Sequence, residues 1–192
     1  MGNQAHRPAR RLILVKHGHP ELRPDKPPGT WLLSEAGRGA AEALAGRLLA
    51  FEPVAIASSE EPKAVETAAA MGRILSLTPR LDAGLGEQRN EAGGFLDRHL
   101  FESLVAQMFA HPDQLVMGEE TGAAARARFA AALERQLAAT PEGALVIVSH
   151  GRVISLWASR ALGVDAMALW RRLDLVTALV IPEDPDAFEI VG

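Results

Sequence analysis

Two short apolar runs in this chain end in the same way. Leu12-Ile13-Leu14-Val15 leads into Lys16-His17-Gly18, and Ala144-Leu145-Val146-Ile147-Val148 leads into Ser149-His150-Gly151. Unbroken stretches this rich in β-branched residues, each closed by a polar cluster, read as strands buried on both faces, the pattern of a parallel sheet. Open parallel sheets bind ligands beyond the carboxyl ends of their strands. Each run therefore delivers an imidazole to the binding rim, and the glycine behind it lets backbone N–H groups come close without a Cβ in the way. A helix starting near Arg152 would point its positive end at the same place, which favours an anion such as phosphate.

The rest of the chain fits that frame. Val54-Ala55-Ile56-Ala57 is a third buried run, and residues 175–181 and 187–191 look like later strands separated by a Pro/Asp turn. Helical periodicity runs through residues 34–50, 61–75, 97–110, 120–139 and 152–162; in the first, Leu44, Leu48 and Leu49 share one stripe. Strands alternating with helices at this spacing predict an α/β fold of three layers, αβα, around a mostly parallel central sheet. Residues 1–10 read as a flexible N-terminal tail and 11–192 as a single domain, with no internal repeat and no linker long enough to divide it. Two irregular stretches, 20–30 and 88–94, are candidate lids or specificity loops, or simply variable surface.

Bulk properties remove several classes of function. A net charge of -4 gives no electrostatic reason to expect a nucleic acid. No apolar run approaches the roughly 18–20 residues that cross a bilayer, and the basic start lacks an apolar segment behind it, so no membrane partner is expected. Cysteine is absent, so neither disulfides nor thiolate metal sites shape the fold, and a cytoplasmic location is expected. Trp31, Trp157 and Trp170 read as core or interface aromatics rather than a base-stacking platform.

Singly, a histidine at a strand end is more often structural or solvated; the pair, in its company, is different. Lys16-His17-Gly18 is followed by Ser58-Ser59-Glu60-Glu61-Pro62-Lys63-Ala64-Val65-Glu66-Thr67-Ala68, then Leu85-Gly86-Glu87, then Ser149-His150-Gly151. In order and spacing this resembles the histidine phosphatases of the phosphoglycerate-mutase-like superfamily. Their pattern is Arg-His-Gly, Ser-Ser-x-x-x-Arg-Ala-x-x-Thr-Ala, a loop Glu, and Ser-His-Gly. Leu33-Ser34-Glu35-Ala36-Gly37 and Gly118-Glu119-Glu120 agree with two further family helix starts.

The resemblance implies a phosphomonoester hydrolase, needing no cofactor and no metal, in which His17 attacks phosphorus and becomes phosphohistidine. His17 must then be neutral, its second nitrogen donating to a backbone carbonyl. Glu87 would begin protonated, giving its proton to the leaving oxygen and then taking one from the attacking water, which requires partial burial or a nearby anion to raise its pKa. His150 would hold a phosphoryl oxygen as a cation, with Lys16, Lys63, Gly18 and Gly151 completing the phosphate site. Without the motif, Glu87 would read as a solvated loop carboxylate. Arg152 and Arg89 are candidate substrate contacts, as are Arg23, Arg98 and His99 in neighbouring loops, although any one of them is as readily a surface charge. The partner implied is a phosphorylated small molecule or a phosphoprotein; a homodimer stays open.

The departures are specific. Both family arginine positions are lysine, in a chain whose 20 basic residues include lysine only at 16, 26 and 63. Random placement would put lysine at both with a probability of roughly 0.016, which favours reading the two together, as a modified phosphate pocket, over Lys63 as a solvated helix residue and Lys16 as a strand-end charge. Lysine keeps the charge but loses the planar fork that grips two oxygens. His19-Pro20 also replaces the usual acidic or amide residue after the first histidine motif. A catalytically weakened or inactive phospho-ligand-binding member is therefore the alternative. A phosphoglycerate-type mutase and a metal-dependent hydrolase built on His17-Gly18-His19 rank lower, since alternate residues on a strand point oppositely.

Overall fold

The computed structural model describes residues 10–90, 96–183 and 188–192. The expected tail therefore lies, apart from Arg10, outside the described residues, as does part of the 88–94 loop. Among the described residues, six strands form one sheet: β1 (Arg11–Lys16), β2 (Pro53–Ser58), β3 (Arg80–Leu81), β4 (Ala144–Ser149), β5 (Ala178–Pro182) and β6 (Glu189–Val191). Their order is β3-β2-β4-β1-β5-β6. The first four run parallel, while β5 is antiparallel to β1 and β6 to β5.

Alternation along the strands divides the core in two. Leu12 and Leu14 face the same side as Leu145, Ile147, Leu179 and Ile181, and there α3 (Arg98–Ala110), α4 (Gly122–Ala138), α5 (Gly151–Leu162) and α6 (Ala166–Arg172) close over them. Ile13 and Val15 face the other side with Val146, Val148 and Val180, beneath α1 (Glu35–Leu48) and α2 (Pro62–Leu75). A strand buried on both faces must be apolar at every position, which is why β1 and β4 stand out as unbroken runs. The three-layer αβα architecture with a mostly parallel sheet is thus the observed one.

Local chemistry explains the element starts. Ser34 Oγ accepts from Gly37 N at 3.0 Å to cap α1, Pro62 opens α2, and Asp97, Thr121 and Asp165 cap α3, α4 and α6 through their side chains. Two boundaries shift for a visible reason. β5 begins at Ala178 rather than at 175, because Val176 adopts a left-handed φ of 60° and the chain turns there. α4 begins at Gly122 rather than at 120, because Thr121 is its cap and Glu120 is held by Arg128. β3, of 2 residues, and α6, of 7, are too short to show a period in the sequence.

One contact ties this frame to the site. A Cβ on Gly37 would stand 2.5 Å from the carbonyl oxygen of His19, and one on Gly18 would stand 2.9 Å from the carbonyl oxygen of Gly37. The first turn of α1 thus packs backbone to backbone against the loop carrying His17. Gly37→Ala is expected to destabilise the protein by about 1–3 kcal/mol, lowering Tm by several degrees. Gly39→Ala, two residues along α1 with open space around it, should be neutral or stabilising by up to about 1 kcal/mol. Thermal unfolding of the two variants checks the contrast, and equal effects would contradict it.

Candidate active site

β1 and β4 pair in register, with Lys16 opposite Ser149, and His17 N donates to Ser149 O at 2.9 Å. The two histidines that follow therefore emerge side by side, their ring centroids 5.1 Å apart and the rings edge to face. Both are buried, His17 at 8% and His150 at 1% exposure. His17 Nδ1 lies 2.8 Å from Gly18 O. A carbonyl only accepts, so Nδ1 carries the proton and Nε2 keeps its lone pair. Burial, reinforced by the His150 and Lys63 charges, holds the His17 pKa well below the ordinary imidazole value. His17 is a neutral imidazole of fixed tautomer.

The turn after β2 supplies the opposite wall. Ser59 N donates to Val148 O, binding this turn to the sheet, and Ser59 Oγ lies 2.8 Å from His150 Nε2. Glu61, just before α2, places Oε1 3.2 Å from the same Nε2 and Oε2 2.6 Å from Lys63 Nζ. Lys63 Nζ also donates to Pro28 O at 2.9 Å. Burial pushes the Glu61 pKa up, but the His150 and Lys63 charges and its hydrogen bonds outweigh that and hold it below the usual carboxylate value. Lys16 donates from Nζ to Leu173 O at 2.7 Å, and burial lowers its pKa against the pull of Asp174 and Glu87.

Glu87 comes to the site from the loop after a short 3-10 turn (Ala83–Leu85). Ser149 Oγ donates to Leu85 O at 2.6 Å, joining this loop to the end of β4. The loop is further clamped by Arg128, which donates to Gly84 O, Gly86 O and Glu87 O and pairs with Glu120 at 2.7 Å. The Glu87 carboxylate accepts from Gln88 N at 2.9 Å and from Arg152 N and Val153 N at 3.2 Å, and Arg152 Nε lies 3.2 Å away. Burial alone would raise its pKa; Arg152, His150 and the backbone donors bring it instead to about 2.

Several expectations change here. Glu87, expected to be protonated, is held well below the usual carboxylate range by the Arg152 and His150 charges and by the backbone donors of Gln88 and of the first turn of α5. The N–H groups of Arg152 and Val153, expected to greet a phosphate, are engaged by that carboxylate. Arg152 does not reach outward as a substrate contact: its guanidinium is buried against Glu87, Gln88 Oε1 at 2.8 Å and the Phe101 ring. Gly18 N donates to Thr67 Oγ1 at 3.0 Å, and a Cβ on Gly151 would stand 3.2 Å from the Trp170 ring and 3.3 Å from Lys16 Cε. The Gly18 N–H, expected to face a ligand, is thus engaged within the chain. His150, expected to be cationic, has its pKa lowered by burial, with Glu61 and Glu87 opposing.

The structure does bring His17, His150, Glu87, Lys63 and Lys16 to one end of the β1–β4 pair. Arg89 lines a cavity of about 290 Å³ with Gly29, Ser59, Glu61 and Glu87. Arg23 pairs with Asp25 and Arg98 with Glu102, both at the surface, and the His19 ring is exposed. Among the described residues, no group of three or more His, Asp or Glu side chains is arranged to hold a metal ion, and no helix is long and apolar enough to cross a membrane. Sequence reasoning missed Glu61, Ser59, Gln88 and the Arg128–Glu120 clamp. An acidic residue before a Pro-initiated helix is an ordinary start signal, so only the neighbouring His and Lys reveal what Glu61 does.

The family model described as the histidine phosphatase superfamily (branch 1) matches residues 12–191. The chain belongs to that superfamily. No curated protein matches it. Solved histidine phosphatase-like structures share its fold. A mycobacterial glucosyl-3-phosphoglycerate phosphatase is 21% identical at a TM-score of 0.73, over 95% of this chain and 97% of that one. Bacillus stearothermophilus YhfR is 22% identical at 0.74, over 95% and 96%. A phosphoserine phosphatase mutant of Entamoeba histolytica, in complex with phosphoserine, is 16% identical at 0.70, over 95% of both chains.

In this member of the superfamily, Glu87 links stability to pH. Its folded pKa of about 2 lies below the model-peptide value of 4.5, so its contribution is fully present above roughly pH 5 and is lost as pH falls toward 2. A shift of that size corresponds to a contribution of order 3 kcal/mol. Glu87→Gln is expected to lower unfolding free energy by about 1–3 kcal/mol at pH 7, a difference that shrinks below pH 4. Urea titrations at several pH values measure it; a deficit that stays constant down to pH 2.5 would show that the charge is not responsible.

Proposed function

We propose that this chain hydrolyses phosphomonoesters through a phosphohistidine on His17, acting in the cytoplasm on a phosphorylated small molecule or phosphoprotein. The observation that carries this reading is the bond between His17 Nδ1 and Gly18 O at 2.8 Å. It leaves Nε2 as an unprotonated nucleophile in a buried site lined with cations. The superfamily assignment, and structural neighbours whose names are those of phosphatases, support the same reading.

The steps follow from the residues present. Nε2 attacks phosphorus as the bond to the ester oxygen breaks, giving phosphohistidine and the alcohol. Water then attacks phosphorus, the P–N bond breaks, and inorganic phosphate leaves with Nε2 restored. Lys16, Lys63 and His150 stabilise charge on the nonbridging oxygens, where fixed donors matter most. Glu87 is already a carboxylate, so it suits the water step, taking the proton from the attacking water. The proton for the leaving oxygen enters with the substrate, as the phosphomonoester monoanion. Because phosphate's second pKa is about 6, hydrolysis of alkyl phosphates should fall as pH rises from 6 to 8. Aryl phosphates, whose leaving groups need no proton, should fall much less.

A hydrolysis panel over pH 4 to 8, with trapping of acid-labile phosphate on His17 by mass spectrometry, tests the proposal. His17→Ala should cost at least about a thousandfold in kcat/KM. Absence of turnover across the panel in protein free of contaminating phosphatase would reject it. One observation favours a second reading, a phospho-ligand binder with little turnover: Glu87 is ionised and held by α5. The lysines discriminate. Lys63 Nζ donates from one point to both Glu61 and Pro28 O, contacts that a longer planar guanidinium would rearrange, so Lys16→Arg with Lys63→Arg should slow hydrolysis about tenfold. A rise in hydrolysis would instead mark a phosphatase degraded by the loss of arginine.

A further inference from the structure

Among the described residues, Glu61 is the one acidic side chain in contact with both a site histidine and a site lysine. Its Oε2 accepts from Lys63 Nζ at 2.6 Å. Its Oε1 accepts from Glu87 N at 2.8 Å and faces His150 Nε2 at 3.2 Å. A carboxylate only accepts, so the ring nitrogen facing it carries the proton. That assigns the tautomer of His150: Nε2–H lies toward Glu61 and Ser59, and the lone pair sits on Nδ1. His150 Nδ1 is buried and, among the described residues, has no hydrogen-bond partner. In this neutral form Nδ1 offers nothing to a phosphoryl oxygen, because both are acceptors.

We propose that Glu61 is a positioning residue for His150: by fixing the proton on Nε2 and supplying the counter-charge, it makes phosphate binding draw a second proton onto Nδ1. His150 then becomes an imidazolium bridging Glu61 and the phosphoryl group. This rests on the phosphate-site reading above and extends it to a carboxylate–imidazole–phosphate relay. The charged groups around the ring divide evenly. Glu61 before α2 and Glu87 from its loop favour the cation; Lys63 on α2 and Arg152 on α5 oppose it. His17 at the end of β1 is neutral, with Lys16 beside it. An arriving phosphate dianion breaks that balance toward protonation. Glu61 also neutralises Lys63 in the resting site, so one carboxylate sets both the position of the point charge that stands in for arginine and the proton state of the second histidine.

Imidazole NMR of the full chain, titrated from pH 5 to 9 with and without saturating inorganic phosphate, reads the relay directly. In the wild type, phosphate should raise the His150 pKa by about one unit or more. In Glu61→Gln the side chain no longer demands Nε2–H, neutral His150 can donate from Nδ1, and the phosphate-induced rise should fall to less than half. Phosphate affinity at pH 7 should drop about tenfold with it. Glu61→Asp, which keeps the charge, should retain most of the rise, a result that a merely structural role for Glu61 would not produce. An equal rise in wild type and Glu61→Gln overturns the proposal while leaving the phosphate site intact. If phosphate perturbs neither histidine of the wild type, the phosphate-site reading falls and the relay with it.

Discussion

Parallel pairing of β1 with β4 is the constraint on which the site depends. The register sets Lys16 opposite Ser149 and brings both chains out at the same sheet edge, so that His17 and His150 meet with ring centroids 5.1 Å apart. A slip of one residue would exchange the two faces of the strand, sending Ile13 and Val15 into the α3–α6 layer and Leu12 and Leu14 into the α1–α2 layer. The tightly filled core on both sides forbids that exchange. Precision in a site made of two loops is thus borrowed from packing far below it, and the loops are then pinned to strand ends through Ser59 N to Val148 O and Ser149 Oγ to Leu85 O.

Charge is arranged around the pair with few free partners. Lys63 is balanced by Glu61 and Arg152 by Glu87, while the amides opening α5 meet a carboxylate of the chain itself. Two of the three basic side chains at the site thus face a carboxylate, and the third, Lys16, donates to the Leu173 carbonyl. Buried unpaired cations are costly, and a lysine, which cannot share itself between two oxygens in a plane, is steadied by a fixed partner. Lys63 and Glu61 thus form one unit, a point charge with its counter-ion already in place.

How much of this was legible in the sequence follows from the kind of signal each feature leaves. β1 and β4 were clear because a doubly buried strand admits nothing but apolar residues. The histidines were clear because each stands where such a run stops. Lys63 and Glu87 were found by their place in a spaced pattern, but spacing says nothing about where a carboxylate points, and Glu87 turned toward α5. Adjacency of Arg152 to His150 likewise says nothing about where its guanidinium points, and the fold buries it between Glu87, Gln88 and the Phe101 ring. Glu61 left only the mark of a helix start. Its meaning comes from Lys63, two residues on, and from His150, brought to it by the fold across 89 residues (150 minus 61).

The central claim is that His17 Nε2 is the nucleophile and that His150 holds the group it attacks. A crystal structure with orthovanadate tests this most directly. The account predicts vanadium bonded to His17 Nε2 in a trigonal bipyramid, with an equatorial oxygen at hydrogen-bond distance from His150 Nδ1. Vanadate bound elsewhere, or bound with His17 Nε2 out of bonding reach, would contradict it.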